Sequence, residues 1–352
     1  MDTNILPIKQ PMIYGYLYYA YPLSIIECYD ECLDWFYSNY IQLYSVDDFK
    51  RTISYSFFTP GSFLGGFDAV SYPAVPWLEY RAIDKEILSS CKVDIHDFVC
   101  SNIDNGYYVY IADFDDYYLP QRRAYQNSHF PHDILINGYD KVNREYHISG
   151  FNERLSYSFT KVDFENFVNA YRYSESHRDY ENTDNISLIR LFKKRSDIDY
   201  KFDINLVLTL MDEYVNSKNS FNRFREFKNP YSDLKFGLDS YDSLIYYFNL
   251  LINQEVNSDL RPLHVLWEHK LCMINRIKFM QERNYFANMP ALFDDYKSIE
   301  QKVLLLRNAL TRYSRTREKN VNTLHTIINT LNEIRNIEGE IINNMIYNLQ
   351  NG

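Results

Sequence analysis

The stretch from Ile103 to Phe151 constrains this chain most, because it spells out two neighbouring strands and the segments that join them. Tyr107 to Ala112 is apolar and rich in aromatic and β-branched residues, a composition that favours a strand. The acidic cluster Asp113, Asp115 and Asp116 follows, then Tyr117-Tyr118-Leu119-Pro120. Pro120 has no N–H for a sheet ladder and cannot continue a central strand. A loop with two arginines, Arg122 and Arg123, leads to a second strand, Ile134 to Asn137. That strand is expected to turn at Gly138-Tyr139-Asp140 and return through Glu145 to Ile148 as a hairpin. His132 stands at its mouth. A histidine there, with a carboxylate on the next strand, is how a sheet orients a general base.

The rest of the chain alternates helices with short strands before turning almost wholly helical. Apolar residues between Pro22 and about Tyr44 recur near helical spacing and predict one long first helix, with Pro22 in its first turn. Prolines and paired glycines between Thr59 and Pro76 punctuate a loop, with a short strand at Ala74 to Leu78. Short helices are expected at Ile83 to Cys91 and Asp94 to Asn102, a strand at Ser156 to Thr160, and a helix from Lys161-Val162-Asp163 to about Tyr171. The polar run from Arg172 to Asn185 reads as a linker, and Ile186 to Phe192 as a strand. Helices are then expected at Ile204 to Ser217, Tyr241 to Gln254, Arg261 to Arg283 and Leu292 to about Leu349, the last broken near Thr316 to Asn320 into an antiparallel pair.

At 352 residues the chain can bury one large or two ordinary cores. Its net charge of −10 works against phosphate-backbone binding, so nucleic acid is not an expected partner. There is no run of 18 apolar residues and no secretory start, which points to a cytoplasmic protein without a membrane partner. Five cysteines without framework spacing suit reduced thiols, and no cofactor or metal set is apparent. The abundance of Tyr (34) and Phe (23) fits an AT-rich coding bias, so most of these rings need no functional explanation.

The segments Asp115-x-Tyr117-Tyr118-Leu119-Pro120 and His132-Asp133-Ile134-Leu135-Ile136-Asn137-Gly138-Tyr139-Asp140 resemble the papain-like acyltransferase and peptidase group. That group includes the amino-terminal domain of butirosin biosynthesis protein H and stand-alone proteins of thiotemplated pathways, such as the amide-forming enzyme of closthioamide biosynthesis. Arg261-Pro262-Leu263-His264 and Glu268-His269-Lys270 in the second half fit the same resemblance. It implies an α+β fold with a papain-like or transglutaminase-like core, an amino-terminal helix packed on an antiparallel sheet. Residues 1–171 would form that core, 172–185 the linker, and 186–352 a mainly helical domain walling the cleft. The implied activity is amide-bond formation: an acyl group passes from a carrier-protein thioester to a site cysteine and then to an amine. A cysteine peptidase or amidase, or a catalytically silent binder of an acyl or peptide ligand, are the alternatives.

Papain-like enzymes set their cysteine at a helix amino terminus, where the dipole and a nearby imidazolium favour the thiolate. The resemblance puts that position at Ala20, so the chain reads as a Cys-to-Ala form, engineered or natural. Ala20 should then lie near His132 across a cleft. His132 is preferred over His129 as the base because it abuts the strand. The family's third member would fall after the hairpin, where this chain has Ser149-Gly150-Phe151-Asn152; weight therefore moves to Asp115, with Asn152 as the alternative. Cys28 and Cys32, one helical turn apart, read as small core residues rather than nucleophiles. His264 and His269 lack zinc-protease spacing, and Gly61 with Gly65-Gly66 lacks the residues of a phosphate loop.

Overall fold

The structure, a computed structural model, describes residues 2–46, 54–59, 72–176, 188–223, 234–285, 290–317 and 319–351. Its elements run in the order β1 (Thr3–Ile5), α1 (Leu17–Ile26), α2 (Leu33–Ser38), β2 (Leu43–Val46), β3 (Ser54–Phe57), β4 (Leu78–Asp84), α3 (Lys85–Ser90), α4 (Ile95–Asp104), β5 (Tyr108–Asp115) and β6 (Pro131–Asp140). Next come β7 (Glu145–Phe151), β8 (Tyr157–Asp163), α5 (Phe164–Ser176), β9 (Leu188–Lys194), α6 (Ile204–Val215), β10 (Leu234–Phe236), α7 (Ser240–Ile252), α8 (Arg261–Glu282), α9 (Pro290–Arg315) and α10 (Val321–Asn351). The class is mixed α+β with antiparallel sheets and a carboxy-terminal helical region, as the sequence suggests. Among the described residues no helix is long and apolar enough to cross a membrane. Two compact units divide the chain: Met1–Cys32 with Gly66–Asp199, and Leu33–Gly65 with Tyr200–Gly352.

The first unit is built on one sheet of order β4-β9-β5-β6-β7-β8, with β1 paired to the far end of β6. Every pairing is antiparallel. Val109, Ile111, Ile134, Ile136, Ile148 and Val162 line one face and pack on Val99 and Ile103 of α4 and Phe167 and Ala170 of α5. Each such side chain removed from water contributes roughly 1.5–3 kcal/mol, which is what holds the helices on the sheet. Asp84 and Asp94 fix where α3 and α4 start, accepting from Glu86 N at 2.8 Å and Asp97 N at 3.0 Å.

Several boundaries differ from expectation. The single long helix from Pro22 to Tyr44 does not form. α1 ends at Ile26, a 3-10 turn covers Asp30–Cys32, α2 is short, and Leu43 already opens β2. Past Ile26 the chain tightens into turns, with Cys28 N donating to Ile25 O at 3.3 Å and Tyr29 N to Ile26 O at 3.0 Å, and further on Tyr40 adopts φ 55°. At the end of α1 the Glu27 carboxylate turns back to accept from Met12 N at 3.1 and 3.2 Å. Pro22 accordingly sits inside α1, not in its first turn.

The hairpin is real, but it turns later than Gly138. β6 runs on to Asp140, whose side chain accepts from Val142 N and Asn143 N and builds the reversal there. Gly138 serves a close approach instead, since a Cβ there would lie 2.7 Å from Asn4 O in β1. The strand expected at Ala74 to Leu78 begins only at Leu78, with a 3-10 turn at Tyr72–Ala74 before it. α5 continues through Ser176 into the expected linker, and residues 177–185 lie outside the described residues, as do Gly61, Gly65 and Gly66. β9 pairs with both β4 and β5, so the first unit extends past the polar run.

The second unit pairs a small sheet, β10-β2-β3, with helices α2 and α6 to α10. The break between α9 and α10 falls where it was expected. Tyr296 meets Glu338 and Lys302 meets Glu333, so the two helices run antiparallel. In the interior the fully buried Glu338 accepts from Lys270 Nζ at 2.6 and 2.8 Å, Tyr241 OH at 2.7 Å, Tyr214 OH at 3.0 Å, and Tyr296 OH. His269 Nδ1 accepts from Lys270 Nζ at 3.0 Å while Nε2 donates to Ile41 O at 2.7 Å. His264 faces Glu268 at 3.1 Å. His269 thus ties α8 to the backbone at Ile41, whereas His264 pairs within its own helix.

Candidate functional site

Two irregularities at the end of β5 shape the site. A bulge separates Ile111 from Phe114, with Asp113 at φ 50°, and it re-aims the strand just before the acidic cluster. Past the bulge Asp115 is fully buried and its carboxylate is fully used. Oδ2 takes His129 Nδ1 at 2.6 Å, while Oδ1 accepts from Phe130 N at 3.0 Å and Tyr117 N at 3.1 Å. The His129 ring is held between Tyr173, stacked at 3.8 Å, and Tyr117 at 4.4 Å. The carboxylate that the sequence offered to His132 thus orients His129.

His132 sits elsewhere. Its register partner is Phe114, which packs on Phe167 of α5, so the His132 side chain starts on the face that α4 and α5 cover. α1 meets the other face, where Tyr21 lies against Tyr110 at 5.0 Å and donates to Asp133 O at 2.7 Å. Tyr110 OH donates to Asp133 Oδ2 at 2.5 Å on that same side. Ala20, fully buried in the first turns of α1, immediately precedes Tyr21, which is itself within electrostatic reach of Arg122 and Asp116. No hydrogen bond joins His132 to Asp115 or Asn152, and the Asn152 side-chain oxygen is spent on Arg154 N and Ser156 N in the β7–β8 turn.

What the fold does gather is His132, Asn152 and Asp116 around one cavity of about 380 Å³, walled by Phe130, Phe151 and Leu155 with Arg123 at its rim. Phe130 stacks on His132 at 5.5 Å. Burial, with the Arg122 guanidinium close by, pulls His132 below the usual imidazole range against the opposing pull of Asp133. The ring is therefore neutral near pH 7 and can both donate and accept.

Asp116 is the other unusual group. It is 8 % exposed, and its nearest cation is Arg122, Nε to Oδ1 at 3.8 Å, too long for a hydrogen bond. Arg122 spends its terminal nitrogens on Ser149 O at 3.2 Å and on Phe151 O. Burial pushes the Asp116 carboxyl up to about 7, helped by Asp115 and Asp133 and resisted by Arg122. Because the folded value lies above the unfolded 3.8, the protonated carboxyl stabilises the fold at low pH and that contribution is lost as pH rises through 7. Asp116→Asn is accordingly expected to unfold at higher urea than the wild type at pH 8, by on the order of 2–4 kcal/mol, with the gap narrowing toward pH 4. Equal urea midpoints of the two proteins at pH 8 would contradict this.

Neither thiol near the start of the chain, Cys28 or Cys32, is primed. Cys28 Sγ donates to Ser24 O at 3.3 Å and burial raises its pKa; burial pushes Cys32 up to about 12. Cys100 and Cys272 are buried and Cys91 is exposed, and none of the three lines the cavity. Among the described residues no group of three His, Cys, Asp or Glu side chains could hold a metal ion. No family model matches the chain, and no curated protein matches it either.

Sequence reasoning placed His132, Asp115 and Asn152 within one short region, and it missed Asp116, Arg122 and the Asp115–His129 pairing. The bulge carried the missing signal: two residues between Ile111 and Phe114 where alternation allows one shift Asp115 and Asp116 by a face.

Proposed function

We propose that this chain is a ligand-holding relative of the papain-like acyltransferases, which binds an acyl or peptidyl group in the His132–Asn152–Asp116 cavity without forming a covalent intermediate. The observation that carries this reading is that position 20 offers a methyl group and no thiol, while the fold provides an enclosed polar cavity. The cavity holds a neutral imidazole and amide groups suited to a carbonyl, while position 20 is alanine and fully buried. A thiolate nucleophile needs a nearby base or a lowered pKa, and Cys28 and Cys32 are shifted the opposite way.

The competing reading is an amide-forming acyltransferase disarmed by Cys-to-Ala replacement at Ala20, with His132 as base and a carrier-protein thioester and an amine as substrates. The resemblance of His132 to Asp140 supports it. One variant separates the two. Ala20→Cys is exposed briefly to iodoacetamide or to the N-acetylcysteamine thioester of hexanoic acid, and followed by intact mass and peptide mapping. The ligand-holding reading expects position 20 to label no faster than Cys100 or Cys272, and hexanoyl thioester to bind without a mass gain. Rapid labelling of position 20 that is lost on adding His132→Ala would overturn it in favour of the acyltransferase.

A further inference from the structure

We propose that the cavity recognises an amine: Asp116 is the acceptor for an ammonium or N–H group of the ligand, whose carbon chain lies against Phe130 and Phe151. The inference rests on reading this cavity as the ligand site and adds the class of group it selects.

Three observations converge. Asp116 is 8 % exposed, lines the cavity, and its buried Oδ1 accepts no hydrogen bond from any described residue. A buried carboxylate in that state is costly, and a donor entering the cavity would relieve the cost. The second observation is charge. Asp115 and Asp133 act on Asp116 with the same sign, and Arg122, which opposes them, has its terminal nitrogens already committed to Ser149 O and Phe151 O. The excess of negative charge favours a cation over an anion. Third, the walls beside Asp116 are aromatic, and rings attract an ammonium as well as its alkyl chain.

The test uses the full chain and n-butylammonium, with 1-butanol and butanoate as matched probes, followed by backbone amide shifts or calorimetry. Butylammonium is expected to bind at the cavity at least tenfold more tightly than either probe. Its affinity should rise about fivefold or more from pH 6 to pH 8 as Asp116 ionises; the other titratable and charged groups that face it are Asp115, Asp133, Arg122, Arg123 and His132. Asp116→Asn should abolish both the preference and the pH dependence. Should that variant not fold, Asp116→Leu, which removes the oxygens and keeps apolar packing, carries the same expectation. Equal binding of the three probes, or an unchanged preference in a folded Asp116 variant, overturns the proposal. Hexanoyl thioester binding is a separate measurement, so an amine preference without acyl binding would sink the ligand-holding reading and leave this one standing.

Discussion

Glu338→Leu is expected to cost about 3–5 kcal/mol, enough to leave the protein largely unfolded at 37 °C. The substitution strands a fully buried lysine and takes the acceptor from three tyrosine hydroxyls at once. Burial already pulls Lys270 down to about 8 even with Glu338 beside it, which shows how poorly this interior tolerates a lone ammonium. Removing both charges should do less damage than removing one. The double variant Glu338→Leu with Lys270→Met is therefore expected to recover at least half of the loss, leaving mainly the cost of unpaired hydroxyls. Urea unfolding of the wild type, both single variants and the double variant gives the coupling directly. A double variant as unstable as the sum of the singles would mean that the carboxylate and the ammonium are not a pair in energetic terms.

Gly237→Ala should be at least as damaging, at about 4 kcal/mol or more, for a different reason. A Cβ at this position would lie 2.0 Å from Tyr214 O and 2.7 Å from Tyr214 C, and Gly237 adopts φ +51°. The atoms in the way are backbone of α6, so no rotamer change can make room, and the left-handed backbone adds strain for any residue with a side chain. Gly339→Ala is the control, because its Cβ meets only the tip of Leu238 at 3.1 Å within a helix that prefers alanine. Thermal unfolding should drop sharply for the first and change by less than about 1 kcal/mol for the second. Similar melting temperatures for the two variants would refute the steric account.

The sequence was most informative where local rules decide the outcome. Helices α6, α7 and α8 and the α9–α10 break follow from apolar spacing, and α3 and α4 begin at Asp84 and Asp94 because those side chains cap the free N–H groups. The candidate site was legible as a neighbourhood and not as a pairing. His129 and His132 are three residues apart, and which of them Asp115 serves depends on a single extra residue in β5. Likewise Gly138 looked like a turn because nothing local reveals β1 lying against it, more than 130 residues earlier in the chain. Helix α1 misled for a third reason: past Ile26 the chain tightens into turns, and periodicity cannot report that.

The place of β9 between β4 and β5 has a consequence for how this protein is made. A nascent chain leaving the ribosome presents β4 and β5 early, yet neither can take its final neighbour until residues 188–194 have emerged. At roughly 5–20 residues per second, the strands wait several seconds with open edges, and such edges invite pairing with other chains. Shortened versions that stop near residue 171 should inherit that exposure permanently, with β4 unattached to the sheet, so expression boundaries for this protein belong beyond Lys194.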